Sequence, residues 1–219
     1  MNVSDPNEQA QARPKRIFLA GATGVLGIRL LPILITDGHR VAGMTRSAAN
    51  TAQLEALGAE PVVCDIYDAE RLADAIRSFA PELVMHQVTD LPDRLEQLGD
   101  YAERNDRIRT EGTRNLIAAA AGAGCDRLLA QSIAWRPQGR GAVVEQHEHQ
   151  VLDARGMVVR YGQLYGPGTF YEDRPPGHPQ VHVDAAARAT LGLLGARPGV
   201  VAIVEDEHGH VQPTRVDGD

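Results

Sequence analysis

Residues 145–150 read "EQHEHQ", two histidines and two glutamates within six positions, a grouping that could chelate a metal ion or exchange protons. Spacing decides against chelation. Apolar residues recur every fourth position through Val143–His147–Val151 and Val144–Glu148–Leu152, so His147 and Glu148 are expected on the packed face of a helix. His149 lies roughly 200° around that helix from His147, and the i, i+4 histidine pair of zinc enzymes is lacking. Glu145 and His149 share the outer face as an exposed pair of small energetic value. No metal site is expected.

The second chemical grouping is "GATGVLG", which sets Gly21, Gly24 and Gly27 three residues apart between the apolar run "RIFLA" (16–20) and the apolar stretch "VLGIRLLPILI". A tight strand-to-helix turn needs positive φ. A pyrophosphate reaches a helix N-terminus only where no side chain intervenes, and a third glycine lets helix and strand pack closely. The turn as a whole, Gly21, Thr23, Gly24, Val25, Leu26 and Gly27, is therefore expected to hold a dinucleotide.

These groups need a scaffold, and the rest of the chain supplies its pattern. Strand-like "VAGMT" (41–45), "EPVVC" (60–64), "ELVMHQ" (82–87), "DRLLAQS" (126–132) and "MVVR" (157–160) alternate with helical "AANTAQLEALG", "AERLADAIRSFA", "RTEGTRNLIAAAAGAG" and "AVVEQHEHQVLDARG". This alternation predicts an α/β fold: a Rossmann-type doubly wound parallel sheet with helices on both faces. Residues 1–14 read as a disordered leader and 15–161 as the nucleotide-binding domain. Residues 162–219 read as a small, shortened substrate lobe and tail interleaved with it. After Tyr161 the stretch "GPGTFYEDRPPGHPQ" reads as a loop, 183–196 as a helix, 199–204 as a strand and 205–219 as a frayed end. A net charge of −7 argues against a nucleic-acid partner. No apolar run is long enough to cross a bilayer and the polar start is no secretory signal, so a cytoplasmic setting is expected. Cys64 and Cys125 form neither a ligand cluster nor, given the strand order 3-2-1-4-5-6, a disulfide.

With "VVCDIYD", "TEGTRNLIAAAAGAG", "QSIAW", "RYGQLYGPGTF" and "VHVDAAARA" beside the glycine turn, the chain resembles the extended or atypical short-chain dehydrogenase/reductases, often called NAD-dependent epimerase/dehydratase-like. The likeness runs from about Lys15 to about Val204. At the end of the second strand, where an acid would receive the ribose hydroxyls of NAD, stand Thr45 and then Arg46. Arginine there accommodates a 2′-phosphate, so NADP is expected over NAD. The resemblance implies that Asp65 contacts the adenine amino group and that Ile66 covers the ring. It takes the backbone of Gln87, Val88 and Thr89 past ribose and pyrophosphate, and runs the segment of Tyr161 and Tyr165 under the nicotinamide. Asp65 could instead be a helix N-cap, and His86 reads as a packed strand-end residue.

The family's usual chemistry needs a Ser/Thr, a Tyr and a Lys. Ser132 matches the first, but Arg140 stands about where the tyrosine belongs and Val144 where the lysine belongs. Lys15 is the only lysine and precedes the first strand, at the sheet edge opposite the cofactor crevice. The usual relay is absent. Tyr161, Tyr165, His178 and His182 are the remaining candidate proton donors, Tyr165 the foremost, and Trp135 is a candidate substrate-facing aromatic. Two readings follow: an NADP-dependent oxidoreductase or epimerase/dehydratase-like enzyme on a small organic substrate, compatible with a homodimer, or a catalytically silent NADP-binding sensor or scaffold.

Overall fold

Period-two alternation in the first strand sets the layering. The computed structural model describes residues 13–216; the expected leader falls almost wholly outside the described residues. In β1 (Arg16–Ala20), Ile17 and Leu19 face one core while Phe18 and Ala20 face the other. β2 (Arg40–Thr45), β3 (Glu60–Val63), β4 (Leu83–His86), β5 (Leu128–Ile133) and β6 (Met157–Tyr161) join it in parallel, in the order β6-β5-β4-β1-β2-β3. Burial on both faces explains why the central strands β1 and β4 are almost wholly apolar.

On the Ile17 face, α1 (Gly27–Thr36) buries Leu30, Leu31 and Leu34 and packs against α7 (Val183–Leu191). The short α2 (Thr51–Ala56) adds Leu54 to the same core. On the Phe18 face, α3 (Ala69–Phe79), α5 (Thr113–Gly122) and α6 (Gly141–Asp153) contribute Leu72, Ile76, Leu116 and Val151. Asp68 caps α3 by accepting from the Arg71 N–H at 3.1 Å.

Three parts differ from expectation. The Pro/Gly-rich loop at 166–180 is bounded by two short strands, β7 (Gln163–Tyr165) before it and β8 (Gln180–His182) at its end, paired as a separate two-stranded sheet. The stretch just before the helix expected from Arg109 folds as α4 (Ala102–Arg107), and the first residues of that expected helix form a π-helical turn, Ile108–Gly112, leading into α5. The strand expected at 199–204 forms as β9 (Gly199–Ile203) beside β6, whereas the described part of the end expected to fray, 205–216, is paired: Glu205 bridges Val211 and β10 (Thr214–Arg215) adds an antiparallel edge. Arg215 holds that edge by donating to the carbonyls of Arg197 and Pro198 at 2.7 and 3.0 Å. Arg29 of α1 fixes the small lobe by donating to Asp184 of α7 at 2.7 Å and to the Pro167 carbonyl.

Candidate functional site

At the β1–α1 junction the glycines have separate causes. Gly21 adopts φ +85°, and a Cβ there would lie 2.6 Å from the Gln87 carbonyl group. A Cβ on Gly27 would overlap the Gly21 carbonyl oxygen, so α1 can start this close to β1 only with glycine. Gly24 is exposed with ordinary space around it. Among the described residues, the N–H groups of Thr23, Val25 and Leu26 have no protein acceptor. These donors stand just ahead of the helix N-terminus, where anions are favoured. Beside them the buried Gln87 amide finds no partner at hydrogen-bonding geometry for either polar atom, although the Tyr161 hydroxyl is near. Orphaned donors, an open glycine and an unsatisfied amide together fit a pyrophosphate-bearing dinucleotide. The Thr23 hydroxyl, 3.5 Å from that of Thr45, ties the turn to the end of β2.

The nucleoside end lies past β2, β3 and β4. Arg46 is half exposed, with Nη1 3.5 Å from the Asp90 carboxylate. Asp65 is exposed at the end of β3, its carboxylate accepting from the Tyr67 N–H at 3.0 Å. Asp68 rather than Asp65 caps α3, which removes the capping alternative. Ile66 does not stand open to cover a ring. Its side chain is buried in the core against Gly112, because the π-helical turn brings that glycine close, leaving the main chain as what Ile66 can present. Val88 is half-buried and Thr89 exposed on the crevice loop.

At the substrate end, Ser132 and Arg160 are register partners near the ends of β5 and β6. The Ser132 hydroxyl donates to Glu148 Oε1 at 2.5 Å, and Arg160 grips the same carboxylate through Nε and Nη2 at 2.9 and 2.6 Å. Glu148 is 4% exposed, as its place on the packed stripe implies. Its neighbour His147 joins a buried chain: Thr113 Oγ1 lies 2.8 Å from His147 Nδ1 and 3.1 Å from His86 Nε2. His147 Nε2 lies 2.8 Å from the Gln131 carbonyl oxygen, and His86 Nδ1 accepts from the Val88 N–H at 3.3 Å. The Val88 N–H makes His86 Nδ1 an acceptor, so His86 is neutral and donates from Nε2; the Gln131 carbonyl makes His147 Nε2 a donor, and burial favours the neutral form of that ring. The chain ties α6 and the start of α5 to the ends of the neighbouring strands β5 and β4.

Burial pushes the His86 pKa down to about 3, with the nearby His147 adding to the shift, and lowers that of His147 as well. The sign follows directly. The unfolded chain takes up protons below about pH 6.5 and the folded chain does not until near 3, so stability falls as pH drops through that window. From pH 7 to 5, His86 alone is expected to cost about 2 kcal/mol. Urea unfolding at the two pH values should show the loss, and His86→Gln should flatten it. An unchanged pH dependence in that variant would refute the neutral pair.

The candidate proton donors do not converge. Tyr161, on the segment expected to run under the nicotinamide, has its ring in the core, its hydroxyl bonded to Thr190 Oγ1 at 2.7 Å, and burial raises its pKa. Tyr165 donates to Glu205 at 2.8 Å and rests edge-on against His182, with burial and then Glu205 raising its pKa. Ser132 and Tyr165 thus belong to different networks. Trp135 is half-buried just beyond β5. Arg140 precedes α6 and pairs with Asp106, while Val144 is buried. His147–Thr113–His86 and Glu148–Arg160 escaped the sequence reading as networks, though the two apolar stripes through α6 already marked their helical members.

A parallel sheet in this order, with a glycine turn opening its first helix, defines the Rossmann class of doubly wound folds. The profile of the NAD dependent epimerase/dehydratase family matches residues 17–135. The chain belongs to that family. It is 36% identical over 181 residues to the 3-diazoavenalumate denitrifying reductase of a Streptomyces species, an alignment covering 71% of this chain and 58% of that protein. It is 30% identical over 91 residues to a decarboxylating sterol-4-alpha-carboxylate 3-dehydrogenase of Dictyostelium discoideum, covering 42% and 27% of the two. Its structure is similar to the NAD complex of the Thermus thermophilus UDP-glucose 4-epimerase, with a TM-score of 0.72 at 20% identity over 90% of this chain and 79% of that one. Bordetella bronchiseptica WbmG with NAD gives 0.68 at 21% identity over 94% and 76%. No helix among the described residues is long and apolar enough to cross a membrane.

Proposed function

We propose that the protein is an NADPH-dependent reductase of a small organic substrate. The observation that carries this reading is the glycine turn with its orphaned N–H groups, followed at the end of β2 by Arg46 rather than an acid. Gly21, Gly24, Val25 and the Gln87–Thr89 backbone would hold the dinucleotide, which supplies a hydride when bound. Arg46 would meet its 2′-phosphate. The protein's own groups at the substrate end orient rather than protonate: the Ser132 hydroxyl is committed to Glu148, His86 and His147 are held neutral, and both tyrosines are bonded elsewhere.

That inventory favours an electrophile whose reduction leaves no alkoxide to protonate. An aryl diazonium ion is one: hydride ends as the new C–H bond, dinitrogen leaves with the carbon–nitrogen electron pair and no proton is required, and the Streptomyces relative is a denitrifying reductase of a diazo compound. Fluorescence titration is expected to show NADPH bound tenfold to a hundredfold more tightly than NADH, since a charge-assisted contact contributes roughly 1.5–3 kcal/mol. Arg46→Ala should remove most of that gap by weakening NADPH alone. Enzyme-dependent NADPH consumption with dinitrogen release from an aryl diazonium ion, and none with a ketone, is the expected pattern. Tight NADPH binding without turnover of either would return the sensor or scaffold reading.

A further inference from the structure

Arg46 is not the only guanidinium at the nucleoside end. Arg104, on the first turns of α4, donates to both oxygens of Asp90, Nε to Oδ2 and Nη2 to Oδ1, each at 3.0 Å. Arg46 reaches the same Oδ2 atom at 3.5 Å. Two cations from elements far apart in sequence therefore meet on one oxygen. The carboxylate between them is nearly buried, its side chain 7% exposed, whereas both arginine side chains are about half exposed, 49% and 51%. Asp90 is itself held, its N–H donating to the buried Asn105 side chain at 3.2 Å. Arg104 also lies over the Tyr101 ring at 4.3 Å, which limits the swing of its stem. The buried carboxylate cancels one of the two positive charges and leaves one, presented outward by two fixed planar groups.

A phosphate monoester carries close to two negative charges near neutrality and offers three acceptor oxygens, more than one guanidinium satisfies. We infer that Arg104 is a second specificity-determining residue: with Arg46 it forms a two-arginine seat for the 2′-phosphate of NADP, spaced by Asp90. Neither Arg107 nor Arg109 serves this role. Arg107 is bonded to Glu111 and covers Tyr67 at 3.9 Å, and Arg109 turns toward Asp106 at the substrate end. The inference rests on the NADPH reading above and deepens it.

The test is binding, with NADPH and NADH titrated separately into the unmutated chain, Arg46→Ala, Arg104→Gln and the double variant. Glutamine keeps the stem against Tyr101, and circular dichroism melting checks that each variant folds. Arg104→Gln should weaken NADPH about tenfold and leave NADH unchanged. The double variant should bind the two cofactors equally. If the unmutated chain binds neither dinucleotide, the reading beneath fails and takes this inference with it. Equal binding of both by the unmutated chain overturns the NADP preference. A preference undiminished by Arg104→Gln, or an equal loss of both cofactors in a folded variant, overturns the role of Arg104 alone.

Discussion

Arg160→Met is expected to lower folding stability by about 3 kcal/mol, the lower end of what breaking a buried ion pair costs. Glu148 stays behind as a nearly buried carboxylate whose remaining described partner is the Ser132 hydroxyl, because Arg160 supplied both of its nitrogen donors. The lower end applies because the Arg160 side chain is 29% exposed and so already partly hydrated. Urea unfolding at neutral pH reads the change. Arg160→Met combined with Glu148→Gln should recover most of it, since the neutral amide oxygen still accepts from Ser132 and no charge is stranded. A loss below about 1 kcal/mol in the single variant, or no recovery in the double, would show that this pair is not what holds α6 to the ends of β5 and β6.

The helix carrying Glu148 also marks how far the sequence could be read. Its packed face was legible: the stripes through Val143, His147 and Val151 and through Val144, Glu148 and Leu152 place the two polar residues inward, and they are buried. Their partners were not legible. Arg160 follows from strand register, and Thr113 and His86 follow from how the π-helical turn 108–112 sets the start of α5. Period 3.6 cannot foretell a five-residue turn inserted between two helices.

The same limit explains Ile66 and Tyr161. Each lies where the family resemblance expects cofactor, but alternation along the strand and the approach of Gly112 send their side chains into the core. The sheet order was readable because each strand run was apolar, bounded and separated by a helical period. β7, β8 and β10 are three, three and two residues long. Segments that short leave no periodicity to find among the prolines and glycines around them, and their pairing comes from tertiary packing.

The glycine turn offers a way to separate what folding needs from what a ligand needs. Gly27→Ala places a methyl group on the Gly21 carbonyl and within 2.9 Å of the Ala22 backbone, so α1 must move away from β1. Overpacking of this kind costs about 1–3 kcal/mol, and here the neighbours are main-chain atoms that cannot rotate aside. Both the melting temperature and the affinity for NADPH and NADH should fall, the affinities by about a hundredfold or beyond, because the displaced N–H groups are the expected pyrophosphate donors. Gly24→Val behaves differently. A Cβ there meets its nearest neighbour, the Gly21 carbonyl oxygen, at an ordinary 3.4 Å, and the position is exposed, so stability should stay within about 0.5 kcal/mol of the parent. Yet an isopropyl group would stand in the approach to the N–H groups of Thr23, Val25 and Leu26. Binding of both dinucleotides should be lost in a protein that melts normally. A folded Gly24→Val chain that still binds NADPH as tightly as the parent would mean that the orphaned donors at this helix start do not receive the pyrophosphate.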